Sequence, residues 1–226
     1  MNATLSIVAT PIGNLEDITL RALRILSEAD IVFAEDTRVT KKLFERHGIR
    51  THLKSYHQRS QKAAGDAVLR ALEEGEKVAL VTDAGTPGVS DPGNELIARV
   101  REELPDTKIE PIPGASALTA ALSVAGVPTN DFIFYGFLPH KKGRKTLLDE
   151  IATLERTAVM YESPHRIQKL FNELAERVPR RKAVVLRELT KMFESVSAGE
   201  VEEIRSLLEA GKIPARGEFV VILARL

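Results

Sequence analysis

The sequence contains no cysteine. Disulfides and thiolate-bound metals are therefore excluded. It also lacks net charge, because 32 basic residues balance 32 acidic ones. Whole-chain charge thus gives no sign of a nucleic-acid partner. No apolar run is long enough to cross a bilayer. The N-terminal residues 1–10 run straight into a strand-like segment with no signal-peptide pattern. A cytoplasmic location, with no membrane partner, is expected. Neither the dinucleotide-binding glycine fingerprint nor a P-loop occurs, so nicotinamide or nucleoside-triphosphate binding has no support. No histidine spacing makes a metal site, and no metal is expected.

What is present is an ordinary globular composition, 43% hydrophobic and 28% charged over 226 residues. The charge is segregated. Between Thr37 and Lys62 lie Arg38, Lys41, Lys42, Arg46, Arg50, Lys54, Arg59 and Lys62, against Glu45 alone. Lys141, Lys142, Arg144 and Lys145 form a second basic cluster. A neutral chain with separated charge can turn a basic face to phosphate. The bland alternative is a set of solvated helix faces.

Strand-like and helix-like segments alternate. Strands are expected at 5–9, 30–34, 77–82, 108–111, 132–135, 157–161, 183–187, 193–197 and 219–223. Helices are expected around 20–26 and at 41–47, 63–72, 94–103, 117–125, 146–154, 164–177 and 201–209. In the first half this order predicts a mostly parallel sheet with helices on its faces, and the whole chain reads as two α/β domains, 1–113 and 114–226.

Polar, Gly-rich turns follow several of these strands, where open α/β sheets bind ligands. Thr10-Pro11-Ile12-Gly13-Asn14 ends the first strand. Asp83-Ala84-Gly85-Thr86-Pro87-Gly88 follows KVALVT and runs on to Gly93. Asp83 is placed for a cationic or hydroxyl-bearing ligand, while Asp91 and Pro92 read mainly as a helix N-cap and first turn. Pro113-Gly114-Ala115-Ser116-Ala117 opens a helix whose free N–H groups can face a ligand, with Ser116 equally readable as its cap. Glu35 and Asp36 can supply a general base, or can pair with Arg38 and cap a helix. Tyr161-Glu162-Ser163-Pro164-His165-Arg166 and Arg187-Glu188-Leu189-Thr190-Lys191 end strands in the second half. Together these turns suggest one cleft lined by both domains.

In the same order along nearly the whole chain stand TPIGNLEDITLRAL, AEDTR, VTDAGTPGVSDPG, PIPGASALTAALSVAGVP, GFLP with KKGR, YESPHRI and RELTK. This series resembles the ribosomal RNA small-subunit methyltransferase I family, (cytidine-2′-O)-methyltransferases within the tetrapyrrole methylase superfamily. The resemblance implies two α/β domains of tetrapyrrole-methylase type with S-adenosylmethionine in the cleft between them, and a homodimer. It implies cofactor contacts from Pro11, Asp83, Ala84, Gly85, Thr86, Ser116, Ala117, Tyr161, Leu189 and Thr190. The substrate it implies is a ribose 2′-hydroxyl of 16S rRNA in the small ribosomal subunit. Glu35, Asp36 and His165 are then candidate bases, and Arg38, Lys41, Lys141, Lys142, Arg144 and Lys145 candidate RNA contacts. The chain departs from relatives at Gln58-Arg59-Ser60, and longer relatives carry a helical extension after the last strand. A tetrapyrrole or other small-molecule methyltransferase, or a non-catalytic RNA-binding protein on the same fold, are the competing readings.

Overall fold

The first apolar run becomes β1 (Thr4–Val8), buried along nearly its whole length. In the computed structural model, which describes residues 3–57, 61–91 and 93–226, the chain divides into two units, Met1–Ser116 and Ala117–Leu226. The departure at Gln58-Arg59-Ser60 and the reading of Pro92 lie outside the described residues.

In the first unit β1 is followed by α1 (Leu20–Glu28), β2 (Ile31–Ala34), α2 (Thr37–His47), β3 (His52–Ser55), α3 (Gln61–Glu73), β4 (Lys77–Val81), α4 (Asn94–Glu103) and β5 (Lys108–Ile112). The helices start where the sequence offers a cap. Thr19 accepts from the Ala22 N–H ahead of α1, and Asp36 from the Arg38 N–H ahead of α2. The strands form one parallel sheet in the order β3-β2-β4-β1-β5. Alternate residues of each strand serve opposite faces. Leu5, Ile31, Phe33, Val78 and Leu80 pack under α3 and α4. Val8, Val32, Ala34, Ala79 and Val81 pack under α1 and α2. The connections from β1 and β2 therefore run over one face, and those from β3 and β4 over the other. The direction reverses between neighbours β1 and β4, which makes their carboxyl ends the topological switch point of this sheet.

The second unit comprises α5 (Ala117–Val124), β6 (Phe132–Phe137), α6 (Arg144–Thr153), β7 (Thr157–Glu162), α7 (Ile167–Ala175), β8 (Lys182–Arg187), β9 (Ser195–Glu200), α8 (Val201–Glu209) and β10 (Phe219–Leu223). Its sheet order is β6-β7-β10-β8-β9. This sheet is mixed, unlike the first. Only β6 and β7 pair in parallel, whereas β10 runs antiparallel to both β7 and β8, and β9 antiparallel to β8. The fully buried FVVIL of β10 occupies the middle of the sheet. One face carries α6, α7 and α8 over Met160, Val185, Phe219 and Val221. The other carries α5 over Val159, Val184, Leu186 and Ile222.

Three local expectations change. Helix α4 begins at Asn94 with Gly93 as its N-cap and no side-chain cap bond, so Asp91 is not the cap residue. Helix α7 begins at Ile167. Ser163 to Arg166 form turns instead, with the Arg166 and Ile167 N–H groups both donating to the Ser163 carbonyl. Strand β3 was not expected, since its HLKS sequence is polar and largely exposed at the sheet edge.

Candidate functional site

In the first unit the loops after β1, β4 and β5 are tied together at the switch point. Thr10 and Gly85 exchange two backbone hydrogen bonds of 2.9 and 3.0 Å, an isolated antiparallel bridge. The Thr10 hydroxyl donates to the Thr82 carbonyl at 3.1 Å, and the Thr86 hydroxyl to the Ala115 carbonyl at 3.3 Å. The Ala9 N–H donates to the Ile112 carbonyl at 3.1 Å. Gly85 has φ +82°, a left-handed conformation that side chains resist. Pro11 and Gly85 are buried, whereas Asp83 and Ala84 are exposed and Thr86 and Ser116 half-buried. The sequence-predicted residues Pro11, Asp83 to Thr86 and Ser116 thus converge within one unit. The Thr82 hydroxyl oxygen is buried there without a hydrogen-bond partner among the described residues.

The carboxylates beside this loop cluster interlock. Asp83 accepts from the Asp36 N–H at 2.9 Å, and Glu35 from the Asp83 N–H at 3.4 Å. Desolvation pushes the Glu35 pKa up, the nearby Asp83 and Asp36 charges adding to it and the Asp83 N–H opposing it. Desolvation likewise raises Asp83. Asp36 goes the other way, to about 2, because Arg38 grips its carboxylate through both side-chain and backbone N–H groups. Of the two readings open for Asp36, capping α2 and pairing with Arg38 are what the structure displays.

In the second unit Tyr161, Leu189 and Thr190 gather at one end of the sheet, because Phe219 at the start of β10 pairs with both Glu162 and Arg187. Tyr161 stacks edge-on against Phe134 and Phe137, with ring centroids 4.9 and 5.7 Å apart. Leu189, Tyr161 and Ala117 all pack on the α5 face. Glu188 and Thr190 hold positive φ, 51° and 66°. For a β-branched threonine that is a costly conformation, and such strain gathers at ligand sites. It is held in place. The Glu188 carboxylate accepts from Lys191 Nζ at 2.8 Å and from the Glu218 N–H at 2.9 Å. Gly217, which has no Cβ, leaves room for the Glu188 side chain. The Thr190 hydroxyl oxygen is buried and lacks a hydrogen-bond partner among the described residues. His165 is exposed in the turn before α7.

The basic clusters sort differently from expectation. Arg38 is committed to Asp36, and Lys41 lies 3.9 Å from Glu45. Lys141, Lys142 and Lys145 are exposed, with no carboxylate within ion-pair distance among the described residues. Arg144 is corrected outright. Its side chain is only 4% exposed and lies among Glu173, Glu162 and the Pro139 carbonyl, so it cannot meet a phosphate. The sequence also gave no sign that Glu162, the last residue of an apolar strand, carries a fully buried carboxylate.

The family model described as Tetrapyrrole (Corrin/Porphyrin) Methylases matches residues 4–205. A fold neighbour of that class, uroporphyrin-III C-methyltransferase from Thermus thermophilus complexed with S-adenyl homocysteine, superposes with TM-score 0.68. It is 22% identical, over 98% of this chain and 97% of that one. Within the class, this chain belongs to the ribosomal RNA small subunit methyltransferase I family. It is 47% identical over 224 residues to the protein of that name from Neisseria meningitidis, covering 99% of this chain and 76% of the relative. It is 42% identical over 220 residues to that from Thermotoga maritima, covering 97% of each.

Proposed function

We propose that this chain methylates a cytidine ribose 2′-hydroxyl of 16S rRNA in the small ribosomal subunit, with S-adenosylmethionine as donor. The observation that carries the reading is the set of interlocked strand-end loops at the switch point, in a chain 47% identical to a protein named ribosomal RNA small subunit methyltransferase I. The donor set suits such a cofactor. Backbone groups beside Gly85, the Asp83 carboxylate and the buried Thr82 hydroxyl, which has no hydrogen-bond partner among the described residues, match a nucleoside and an amino-acid moiety. Pro11, Asp83, Ala84, Gly85, Thr86, Ser116, Ala117, Tyr161, Leu189 and Thr190 are its proposed contacts.

When bound, the cofactor supplies an already activated sulfonium methyl. The chain's task is then to position a hydroxyl in line and to accept its proton. Glu35 suits the second role best of the three candidates. Its raised pKa brings it toward neutrality, whereas Asp36 is held ionised by Arg38 and is a weak base. His165, exposed in the turn before α7, is the alternative. Lys141, Lys142 and Lys145, with no carboxylate in ion-pair distance among the described residues, supply phosphate contacts. A small-molecule substrate would leave them without a role. Arg38 and Lys41 contribute less, being partly neutralised.

Homodimerisation in the cytoplasm is part of the same proposal. Met192, Phe193 and Val196, exposed beside or on the edge strand β9, form a surface suited to a second copy. Among the described residues no helix is long and apolar enough to cross a membrane. The deciding experiment supplies methyl-labelled S-adenosylmethionine with small subunits and with naked 16S rRNA, followed by nucleoside analysis. Label in 2′-O-methylcytidine is expected. Label in neither substrate defeats the assignment.

A further inference from the structure

Four charged side chains are drawn beneath one loop of the second unit. Glu162 at the end of β7 is 0% exposed; its Oε1 accepts from the Ser163 N–H at 2.8 Å and lies 3.2 Å from Arg166 Nε. Its Oε2 lies 3.8 Å from Arg144 Nη1. Arg144 Nε donates to Glu173 Oε2 at 2.8 Å, and its Nη1 to the Pro139 carbonyl at 3.2 Å. Arg166 Nη2 donates to the Leu138 carbonyl, and its Nη1 lies 3.2 Å from His140 Nε2. Both guanidinium groups therefore grip the opening of the same short loop, Leu138 to His140, and the loop runs on through Gly143 to α6. The loop's outer side carries Lys141 and Lys142, and Lys145 follows in the first turn of α6.

The core of the network sets two arginines against two glutamates, with Lys169 Nζ 3.9 Å from Glu173 Oε1 at its exposed edge. Burying such charges costs desolvation that apolar packing would avoid, so stability alone does not account for it. Three lysines close in sequence, with no carboxylate in ion-pair distance among the described residues, repel one another and lose conformational entropy on binding. A loop whose backbone carbonyls are fixed from inside meets a polyanion with part of that ordering already done.

We infer that Arg144, Glu162 and Arg166 are positioning residues that preset the 138–143 loop, so that Lys141, Lys142 and Lys145 offer a fixed row of positive charge to RNA phosphates. The inference rests on the RNA reading above and adds to it the device that holds the contact surface. The arginine of the basic cluster thus acts from inside the fold.

Four full-length proteins test it: the parent, a Lys141→Gln/Lys142→Gln/Lys145→Gln triple variant, Arg144→Met and Arg144→Lys. Binding to 16S rRNA and to small subunits is measured across a salt series, with methyl transfer and cofactor calorimetry alongside. The triple variant should lower the log–log salt slope by about 2 to 3, since each phosphate contact contributes roughly 0.7 to 0.9. Arg144→Met, with every lysine intact, should raise KM for RNA at least fivefold. Its kcat at saturating RNA and its cofactor affinity should stay within twofold of the parent. Arg144→Lys should recover part of the loss. Parent-like RNA affinity in Arg144→Met overturns the inference, and parent-like affinity in the triple variant overturns it together with the lysine contacts. Should Arg144→Met not fold, backbone order parameters of the unaltered protein decide. Residues 138–143 should be about as rigid as the body of α6, near 0.85, and values below about 0.6 overturn the inference. That measurement needs no RNA, so it separates failure of the brace from failure of the substrate assignment.

Discussion

Replacing Gly85 by alanine tests whether the Thr10–Gly85 clasp shapes the first unit's site. Gly85 sits at φ +82°, where an L side chain costs roughly 1–2 kcal/mol. Space is not the obstacle. An added Cβ would lie 3.5 Å from Ile12 Cγ2 and 3.8 Å from the Ala115 carbonyl oxygen, ordinary van der Waals distances. Against the strain stands the lower entropy of the unfolded alanine chain, about 0.4–1 kcal/mol in a compatible site. The net cost is about 1 kcal/mol, a fall in Tm of about 4 °C for a unit of this size. If the chain relieves the strain by releasing the two bonds to Thr10, the loop bearing Asp83 and Thr86 loosens. Affinity for S-adenosylmethionine should then drop by a similar free energy, about fivefold. Gly85→Asn provides the control, because asparagine enters the left-handed region at less cost. It should recover more than half of both losses. Calorimetric melting and cofactor titration of the three proteins decide the matter. Alanine and asparagine variants that behave alike, or an alanine variant that melts within 1 °C of the parent, would refute a conformational role for Gly85.

Arg181→Met should destabilise the second unit by about 2–4 kcal/mol in denaturant titration. Its buried guanidinium donates to the carbonyls of Ala224, Ile151, Leu154 and Arg156, and losing four such bonds outweighs relief of one buried charge. Glu35→Gln should abolish the acidic limb of the pH–rate profile, which in the parent falls as pH drops through the raised Glu35 pKa. The same substitution should improve relative stability as pH rises. A carboxyl raised by burial favours folding below its ordinary value of 4.5, and that contribution is lost as pH climbs through the folded-state pKa. Reversing the sign for Asp36, the Arg38 contact supports folding above its ordinary 3.8 and fades as pH falls toward about 2; Arg38→Gln should flatten that part of an acid-unfolding curve. Arg38→Gln and Lys41→Gln should each change the RNA salt slope less than Lys141→Gln, since Asp36 and Glu45 already screen them.

Most elements of the fold were legible because each carries a period or a stop. Residues 94–103 and 201–209 are helices at the expected bounds, and FVVIL is a strand at 219–223. What periodicity does not encode is direction. The return of β10 into the middle of the second sheet reverses its pairing without altering its apolar pattern, although five consecutive buried residues are the mark of a central strand. Strand β3 escaped notice for the opposite reason. At an edge, with His52, Lys54 and Ser55 exposed, it has no apolar alternation to read. The loop cluster of the first unit was visible as Gly- and Pro-rich turns after strands, but its clasp joins Thr10 to Gly85 across 75 positions and is a product of strand order alone.

Charge shows the same division between what is local and what is tertiary. KKGRK reads as four equivalent cations around a glycine, yet Arg144 faces the interior while its lysine neighbours face water. The difference follows from helix geometry and from chemistry together. Arg144 is the first residue of α6, one turn before the buried Leu148, so its side chain shares the inward stripe. A guanidinium can satisfy several acceptors in a plane when buried, as an ammonium cannot, and here it meets Glu173 and the Pro139 carbonyl at once. A lysine at that position would lack the fork, and an arginine at 141 or 142 would lack the carboxylates. The separation of roles within one five-residue run is thus set by which position lands on the buried stripe. The same reasoning predicts that exchanging the two residue types, Lys142→Arg with Arg144→Lys, keeps the net charge and the exposed phosphate contacts but loosens the loop. RNA affinity in that double variant should fall as far as in Arg144→Lys alone. Parent-like affinity would mean that charge, and not the buried fork, governs the contact.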